Sequence, residues 1–239
     1  MDASGVGQFA PQIRDISDNG VNYFRKNNED QQFEFFTYSP FRPINAVSDN
    51  GPYHFEFHDE KRFLILKSLR LDIKCKVVKS TGANLDAGEN VAIVNCFAHS
   101  LFDNINVKVN MVDVSDHSRN YQYKAYFMTN FSYGRSVKET NLKCDYFYQD
   151  DNADNSTVTG NETAFGLRKV LTAGSKTLYC TICPFIDLAS GNNYLPPGVK
   201  LGLAFQRCRS SFSLLAATGD YSIKIQDLVM WARHVTPNS

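Results

Sequence analysis

Apolar and polar residues alternate with a period of two along much of the chain from Phe33 onward. Tyr53, Phe55 and Phe57 alternate with His54, Glu56 and His58, and Leu69, Leu71, Ile73, Cys75 and Val77 alternate with Ser68, Arg70, Asp72, Lys74 and Lys76. The same alternation runs through Ile105, Val107, Val109 and Met111, through Leu178, Cys180 and Ile182, through Val199, Leu201, Leu203 and Phe205, and through Tyr221, Ile223 and Ile225. Side chains on a strand point to opposite faces in turn, so each stretch predicts a strand with one face in a core. After Gln226 the phase breaks and Leu228–Trp231 is apolar on both faces, which predicts either a bulge or burial on both sides. The aromatics of Phe33–Tyr38 fit a strand in the chain's own sheet or an arm that adds to a neighbour's sheet edge.

Two segments change period. Val94, Phe97, Ala98, Leu101 and Phe102 follow helical spacing, which predicts a helix over Asn95–Phe102, and Tyr123, Tyr126, Phe127 and Phe131 do much the same. Both predict short amphipathic helices flanking the Ile105 strand. Ser48-Asp49-Asn50-Gly51, Asp86-Ala87-Gly88, Ser190-Gly191-Asn192-Asn193 and Leu195-Pro196-Pro197-Gly198 mark turns. Many short strands with two inserted helices predict an all-β sandwich of two sheets. Residues 1–31 show no sustained period and read as an extended or disordered arm, leaving 32–239 as one domain. The longest polar stretch, Gln149–Thr163, predicts a functional or flexible loop.

Composition supports this outline. The 239 residues suit one all-β domain, and 18 Phe, 12 Tyr and 21 Asn favour strands and turns. Lys plus Arg and Asp plus Glu both number 25, so no long-range attraction to nucleic acid is expected, and residues 1–31 supply no basic arm. The longest apolar runs, Phe63–Leu66 and Leu214–Ala217, are far short of the ~20 residues that span a bilayer. Residues 1–20 have no apolar core, so no signal peptide and no secretion by that route are expected. On that footing Cys75, Cys96, Cys144, Cys180, Cys183 and Cys208 read as reduced thiols, and the sequons at Asn130, Asn155 and Asn161 carry no glycan.

Candidate chemistry is sparse. Cys180 and Cys183 form a C-x-x-C, but residues three apart on a strand face opposite ways, so packed thiols are expected rather than a metal or redox pair. His54, Glu56 and His58 share a strand face, yet at ~3.3 Å per residue the two His Cα atoms lie ~13 Å apart, too far for one ion. Asp150, Asn152, Asp154 and Ser156 match positions 1, 3, 5 and 7 of a calcium loop, but Asn155 stands where Gly belongs and Asn161 where Glu belongs. Asp113, Asp116 and His117 could form an acid–base cluster, although Ser115 or Asp116 as a helix cap fits the position better. Ser48-Asp49-Asn50 matches one element of the penicillin-binding serine enzymes without the other two. The histidines at 54, 58, 99, 117 and 234 lack the H-x-H spacing of cupin enzymes. No enzyme activity, catalytic residue, metal or cofactor is expected.

A set of motifs in a fixed order adds to this reading. The Leu69–Val77 strand leads to Ser80-Thr81-Gly82-Ala83-Asn84-Leu85-Asp86, then to His99-Ser100-Leu101-Phe102, then to the Asn106-Val107-Lys108-Val109-Asn110 strand. Tyr121-Gln122-Tyr123-Lys124-Ala125-Tyr126-Phe127 follows, ending in Tyr133-Gly134. Asn45–Glu56 and Tyr194-Leu195-Pro196-Pro197-Gly198-Val199-Lys200 agree as well. This order, over roughly residues 33–234, resembles the N-terminal half of the double jelly-roll major capsid proteins of Polinton (Maverick) elements and adintoviruses. The resemblance implies a jelly roll of two antiparallel four-stranded sheets. It further implies a non-enzymatic viral or transposon-derived structural protein that associates with itself, as a trimer or higher oligomer, and with other capsid proteins. The place implied is the virion, reached from the cytoplasm or nucleus. The chain has the length of one roll plus an arm where the family has two rolls. A carbohydrate- or protein-binding jelly-roll module is the alternative, and it predicts a concave face lined with exposed aromatics.

Overall fold

The computed structural model describes residues 33–86, 88–115, 119–149, 164–191, 194–216 and 218–237. The arm at 1–31, Asp116 and His117, the sequons at Asn155 and Asn161, and all but the first residue of the Gln149–Thr163 stretch, with its calcium-loop pattern, lie outside these residues.

Eight strands carry the frame: β1 (Phe33–Phe41), β2 (Tyr53–Phe57), β3 (Phe63–Lys79), β5 (Phe102–Val109), β6 (Val112–Asp113), β7 (Thr177–Ile182), β9 (Leu201–Arg207) and β11 (Tyr221–Pro237). The first pairs with the last, the second with the seventh, the third with the sixth and the fourth with the fifth, all antiparallel. The chain is thus one long hairpin of four nested pairs. It is rolled so that β11 joins β3 and β9 joins β5, giving sheets of order β1-β11-β3-β7 and β2-β9-β5-β6. That is the jelly roll, and the all-β expectation holds. Three short strands supplement the frame: β4 (Val91–Ile93) pairs with β10 (Leu214–Ala216), and β8 (Tyr194–Leu195) pairs with β3.

The core lies between the two sheets and follows the predicted alternation. Tyr53, Phe55 and Phe57 are buried while His54 and Glu56 are exposed, and Leu69 through Val77 show the same pattern on β3. Phe205 meets Phe55 and Phe102 edge-on, with ring centroids 5.7 and 5.0 Å apart. Each such ring contributes about 1.5–3 kcal/mol by leaving water. The phase break after Gln226 is a bulge. Ile225 faces Cys75 and Asp227 faces Lys74, so Gln226 is the extra residue. The Ile225 N–H donates to Asp49 Oδ1 at 3.1 Å, which gives the Ser48-Asp49-Asn50 turn a structural task. Phe33–Phe41 pairs with β11, so of its two predicted placements the chain's own sheet is the one found.

Met111 departs from its expected strand. The strand ends at Val109, and Asn110 and Met111, with φ of +47° and +69°, form the two-residue turn of the β5–β6 hairpin. Positive φ at both positions is strained without glycine. Asn110 is held there by its N–H donating to Lys200 O and its Oδ1 accepting from Lys200 N, both at 2.9 Å.

The helices differ more from expectation. The first, α1 (Phe97–Ser100), is a single turn instead of Asn95–Phe102, because Phe102 already belongs to β5. The second, α2 (Tyr121–Ser132), is present at full length. Two more, α3 (Arg135–Glu139) and α4 (Ala164–Thr172), were not expected, and α2, α3 and α4 all lie in the single connection between β6 and β7. α4 covers the open edge of β4. Thr172 Oγ1 donates to Val91 O at 2.8 Å and Arg168 Nε to Ile93 O at 2.9 Å, so side chains four apart on the helix bond carbonyls two apart on the strand. A buried strand edge is satisfied in this way without another strand.

Candidate assembly surfaces

Among the described residues α2 exposes a cluster of large apolar side chains. Its buried residues are Tyr121, Gln122, Ala125 and Thr129. The stripe expected to face the core, Tyr123, Tyr126, Phe127 and Phe131, points outward, and Phe131 is 83% exposed. The period was right and the face was wrong. Tyr121, Ala125 and Thr129 lie four apart and make an equally good stripe, and small Ala125 and Thr129 let the helix approach α1 and β5 closely. Tyr121 fixes the docking by a 2.9 Å hydrogen bond with His99 Nδ1, while His99 lies against the Phe185 ring with centroids 5.0 Å apart. Burial drives the His99 pKa down to about 3, so the ring is neutral.

On the outer side the rings pack on one another. Phe127 stacks on Phe131 with centroids 6.0 Å apart and planes 6° apart, Tyr126 meets Phe127 edge-on at 6.1 Å, and Tyr123 meets Phe212 at 5.5 Å. A helix face with this many contiguous exposed rings is the mark of an interaction surface. A second apolar projection is the β5–β6 hairpin, where Met111 is 80% exposed and Val112 and Val114 are also exposed.

Other sequence candidates do not come together. Cys180 is buried and Cys183 exposed, on opposite faces, so the C-x-x-C does not close on one site. Contact with the Cys75 thiol, then burial, holds the Cys180 pKa well above the ordinary thiol value. Glu56 pairs with Lys200 at 2.5 Å rather than with His54 or His58. Among the described residues no three His, Cys, Asp or Glu side chains converge on a point where a metal could sit. Asp113 Oδ1 accepts from Ser115 N and Oγ at 3.1 and 2.8 Å, a local turn. The residue preceding α2 is Asn120, so Ser115 does not cap that helix. Trp231 is half-buried on the outer face of the β1-β11-β3-β7 sheet and donates to Asp72 Oδ2 at 2.7 Å.

A hollow of about 210 Å³ lies over the outer face of the other sheet, between Ile44 and Met111, with Gly202 and Ala204 among its lining. Its one aromatic, Phe55, is buried in the core, so among the described residues it lacks the exposed rings that a carbohydrate-binding face needs. Among the described residues no helix is long and apolar enough to cross a membrane.

No family model matches the chain. An uncharacterized protein of Caenorhabditis elegans, F54H12.2, is 29% identical over 116 residues, which is 45% of this chain and 28% of that one. Among solved structures, a chain of the Sputnik virophage, determined by cryo-EM, superposes with a TM-score of 0.56 at 15% identity, covering 100% of this chain and 53% of that chain. The Faustovirus major capsid protein superposes with a TM-score of 0.51 at 10% identity, covering 85% and 55%. The chain therefore spans about half the length of these structures, and what it shares with them is the fold.

Proposed function

We propose that the chain is a non-enzymatic structural protein of the capsid type, of the Polinton (Maverick) and adintovirus kind, that associates with copies of itself into capsomers. The observation that carries this is the outward aromatic stripe of α2 on a jelly-roll frame like that of the Faustovirus major capsid protein. Residues 32–239 serve as one jelly-roll unit and 1–31 as an arm, and the virion is the destination. Tyr123, Tyr126, Phe127 and Phe131 supply rigid rings, the residue class that dominates interface energetics. Closed symmetric assembly would cover them, and a specific contact needs on the order of 800 Å² from each partner.

Light scattering coupled to size exclusion, with electron microscopy of the same fractions, tests the reading. The expected result is a defined oligomer at micromolar concentration. Phe127→Ser with Phe131→Ser is expected to weaken association at least ~10-fold while leaving the melting temperature nearly unchanged, because both rings are already exposed. A chain that stays monomeric at high micromolar concentration overturns it.

A further inference from the structure

The formal charge of zero conceals a separation. The described residues hold 22 Lys and Arg against 15 Asp and Glu, and the remaining stretches hold 3 against 10. Within the fold the separation continues. The four strands β1, β11, β3 and β7 carry Lys67, Arg70, Lys74, Lys76, Lys79, Lys224 and Arg233 against Glu34, Asp72 and Asp227. Strands β2, β9, β5 and β6 carry Lys108 and Arg207 against Glu56, Asp103 and Asp113.

Register places most of the basic residues on one face. Leu71, Ile73 and Cys75 of β3 point into the core, so Arg70, Asp72, Lys74 and Lys76 point outward. Their cross-strand partners share that face: Lys224 opposite Lys76, Asp227 opposite Lys74, and Trp231 opposite Arg70. Tyr179 lies opposite Lys74 on β7, and Tyr38 lies opposite Arg233 on β1. Both acids have partners. Asp72 accepts from Trp231 Nε1 and from Thr181 Oγ1, and Asp227 pairs with Arg42 at 2.7 Å.

Rings and cations alternate on this face. The Arg233 guanidinium lies 3.9 Å over the Phe36 ring and 5.8 Å from that of Tyr38, and Lys74 Nζ lies 5.5 Å over that of Tyr179. Tyr179 is 62% exposed and Tyr38 51%. A sheet face with outward cations and accessible rings is the chemistry that holds a single-stranded nucleic acid: cations follow the phosphates and rings stack on unpaired bases.

We propose that the outer face of the β1-β11-β3-β7 sheet is a binding platform for single-stranded nucleic acid. The proposal is independent of the assembly reading, because a single chain presents this face. A duplex buries its bases and offers only phosphates, so the platform favours the single strand. Net charge could not reveal it, since averaging over the chain cancels the basic face against acids elsewhere.

Fluorescence anisotropy of the full chain with a labelled 20-mer of thymidine at 50 mM salt tests this. Binding is expected, with a log–log salt slope of about −3 if four phosphates are neutralised. Lys74→Glu, Lys76→Glu and Lys224→Glu together are expected to weaken binding more than ~30-fold. The milder Gln triple, which guards against a folding defect, is expected to weaken it about 10-fold. Tyr179→Ala is expected to cost about 5-fold and leave the slope unchanged, as loss of stacking requires. A duplex of the same length is expected to bind at least ~10-fold more weakly. Absence of binding overturns the proposal, as does equal binding of duplex and single strand, or insensitivity to Tyr179→Ala. A triple variant that alters oligomer mass but not oligonucleotide affinity also overturns it and makes the face a protein contact.

Discussion

Replacing Arg168 with Met is expected to lower the melting temperature by about 10 °C, through a loss of about 3–5 kcal/mol. Arg168 is 2% exposed in the wall between α4 and β4. Its Nε donates to Ile93 O at 2.9 Å, and its Nη1 donates to Asn95 Oδ1 and Tyr148 O, both at 3.0 Å. Asn95 in turn bonds both the N–H and the carbonyl of Tyr148. Removing the guanidinium takes the side-chain donor from buried Ile93 O and one charged donor each from Asn95 Oδ1 and Tyr148 O, which keep their bonds to each other, and a hydrogen bond to a charged group contributes about 1.5–3 kcal/mol. Met preserves the volume of the stem, so the loss reports the hydrogen bonds rather than a cavity. Arg168→Lys should recover only part of it, because an ammonium cannot span three acceptors held in a fixed fork. Val170→Ser, on the exposed side of the same helix, should change stability by less than about 0.5 kcal/mol. Thermal melts followed by circular dichroism decide the matter. A Met variant melting within 2 °C of the parent would show that α4 is held by something else.

The same helix marks where the sequence stops being legible. Its apolar residues Leu167 and Val170 are exposed, while Arg168 and Thr172 are buried. Periodicity assigns faces by hydrophobicity, so it reads α4 inside out and sees no helix. The clue was available only by allowing that Phe165, Arg168 and Thr172 share a helical face in spite of the charge. In α2 the difficulty is different. Two stripes of the correct period exist, and the more apolar one faces water because small Ala125 and Thr129 suit a close approach while the rings suit an interface. The β-strands were legible because each has one dry face and one wet face, so alternation encodes both the element and its orientation. Register was not: which strand pairs with which, and hence which cations share a face, is a property of the nested hairpin. The basic outer face of the β1-β11-β3-β7 sheet could therefore emerge only once the strands were paired.

Stability is expected to change little between about pH 4 and 6.5 and to fall by about 2 kcal/mol between pH 6.5 and 8. Two buried groups carry the largest shifts in this profile, and His234, whose pKa burial also lowers, adds a smaller rise of stability with pH below 6.5. Burial raises the pKa of Asp145 from 3.8 to about 8, only partly offset by a hydrogen bond from the Ala98 N–H. Its Oδ1 is buried without a partner. Burial lowers the pKa of His99 to about 3. The folded state thus holds a proton on Asp145 that the unfolded state releases above pH 3.8, so this group's stabilisation is lost as pH rises toward 8. The unfolded state takes up a proton on His99 below pH 6.5 that the folded state refuses, so that group's stabilisation is lost as pH falls toward 3. Between about pH 4 and 6.5 the two proton balances have opposite sign and cancel. Above 6.5 Asp145 supplies the main slope, and below 4 His99 is joined by Asp59, Asp86 and Glu89, whose carboxyls are held below their ordinary range. The nearby Cys96 thiol, raised to about 12 by burial, keeps its proton in the folded state while the unfolded thiol releases it near pH 9, so it steepens the fall only above about pH 8. Denaturant unfolding at half-unit steps from pH 3 to 9 measures the profile. Asp145→Asn should abolish the alkaline fall and let stability rise with pH all the way from about 3 to 6.5, and His99→Gln should let it fall all the way from about pH 4 to 8. If Asp145→Asn still loses the full 2 kcal/mol above pH 6.5, the buried carboxyl is not its source.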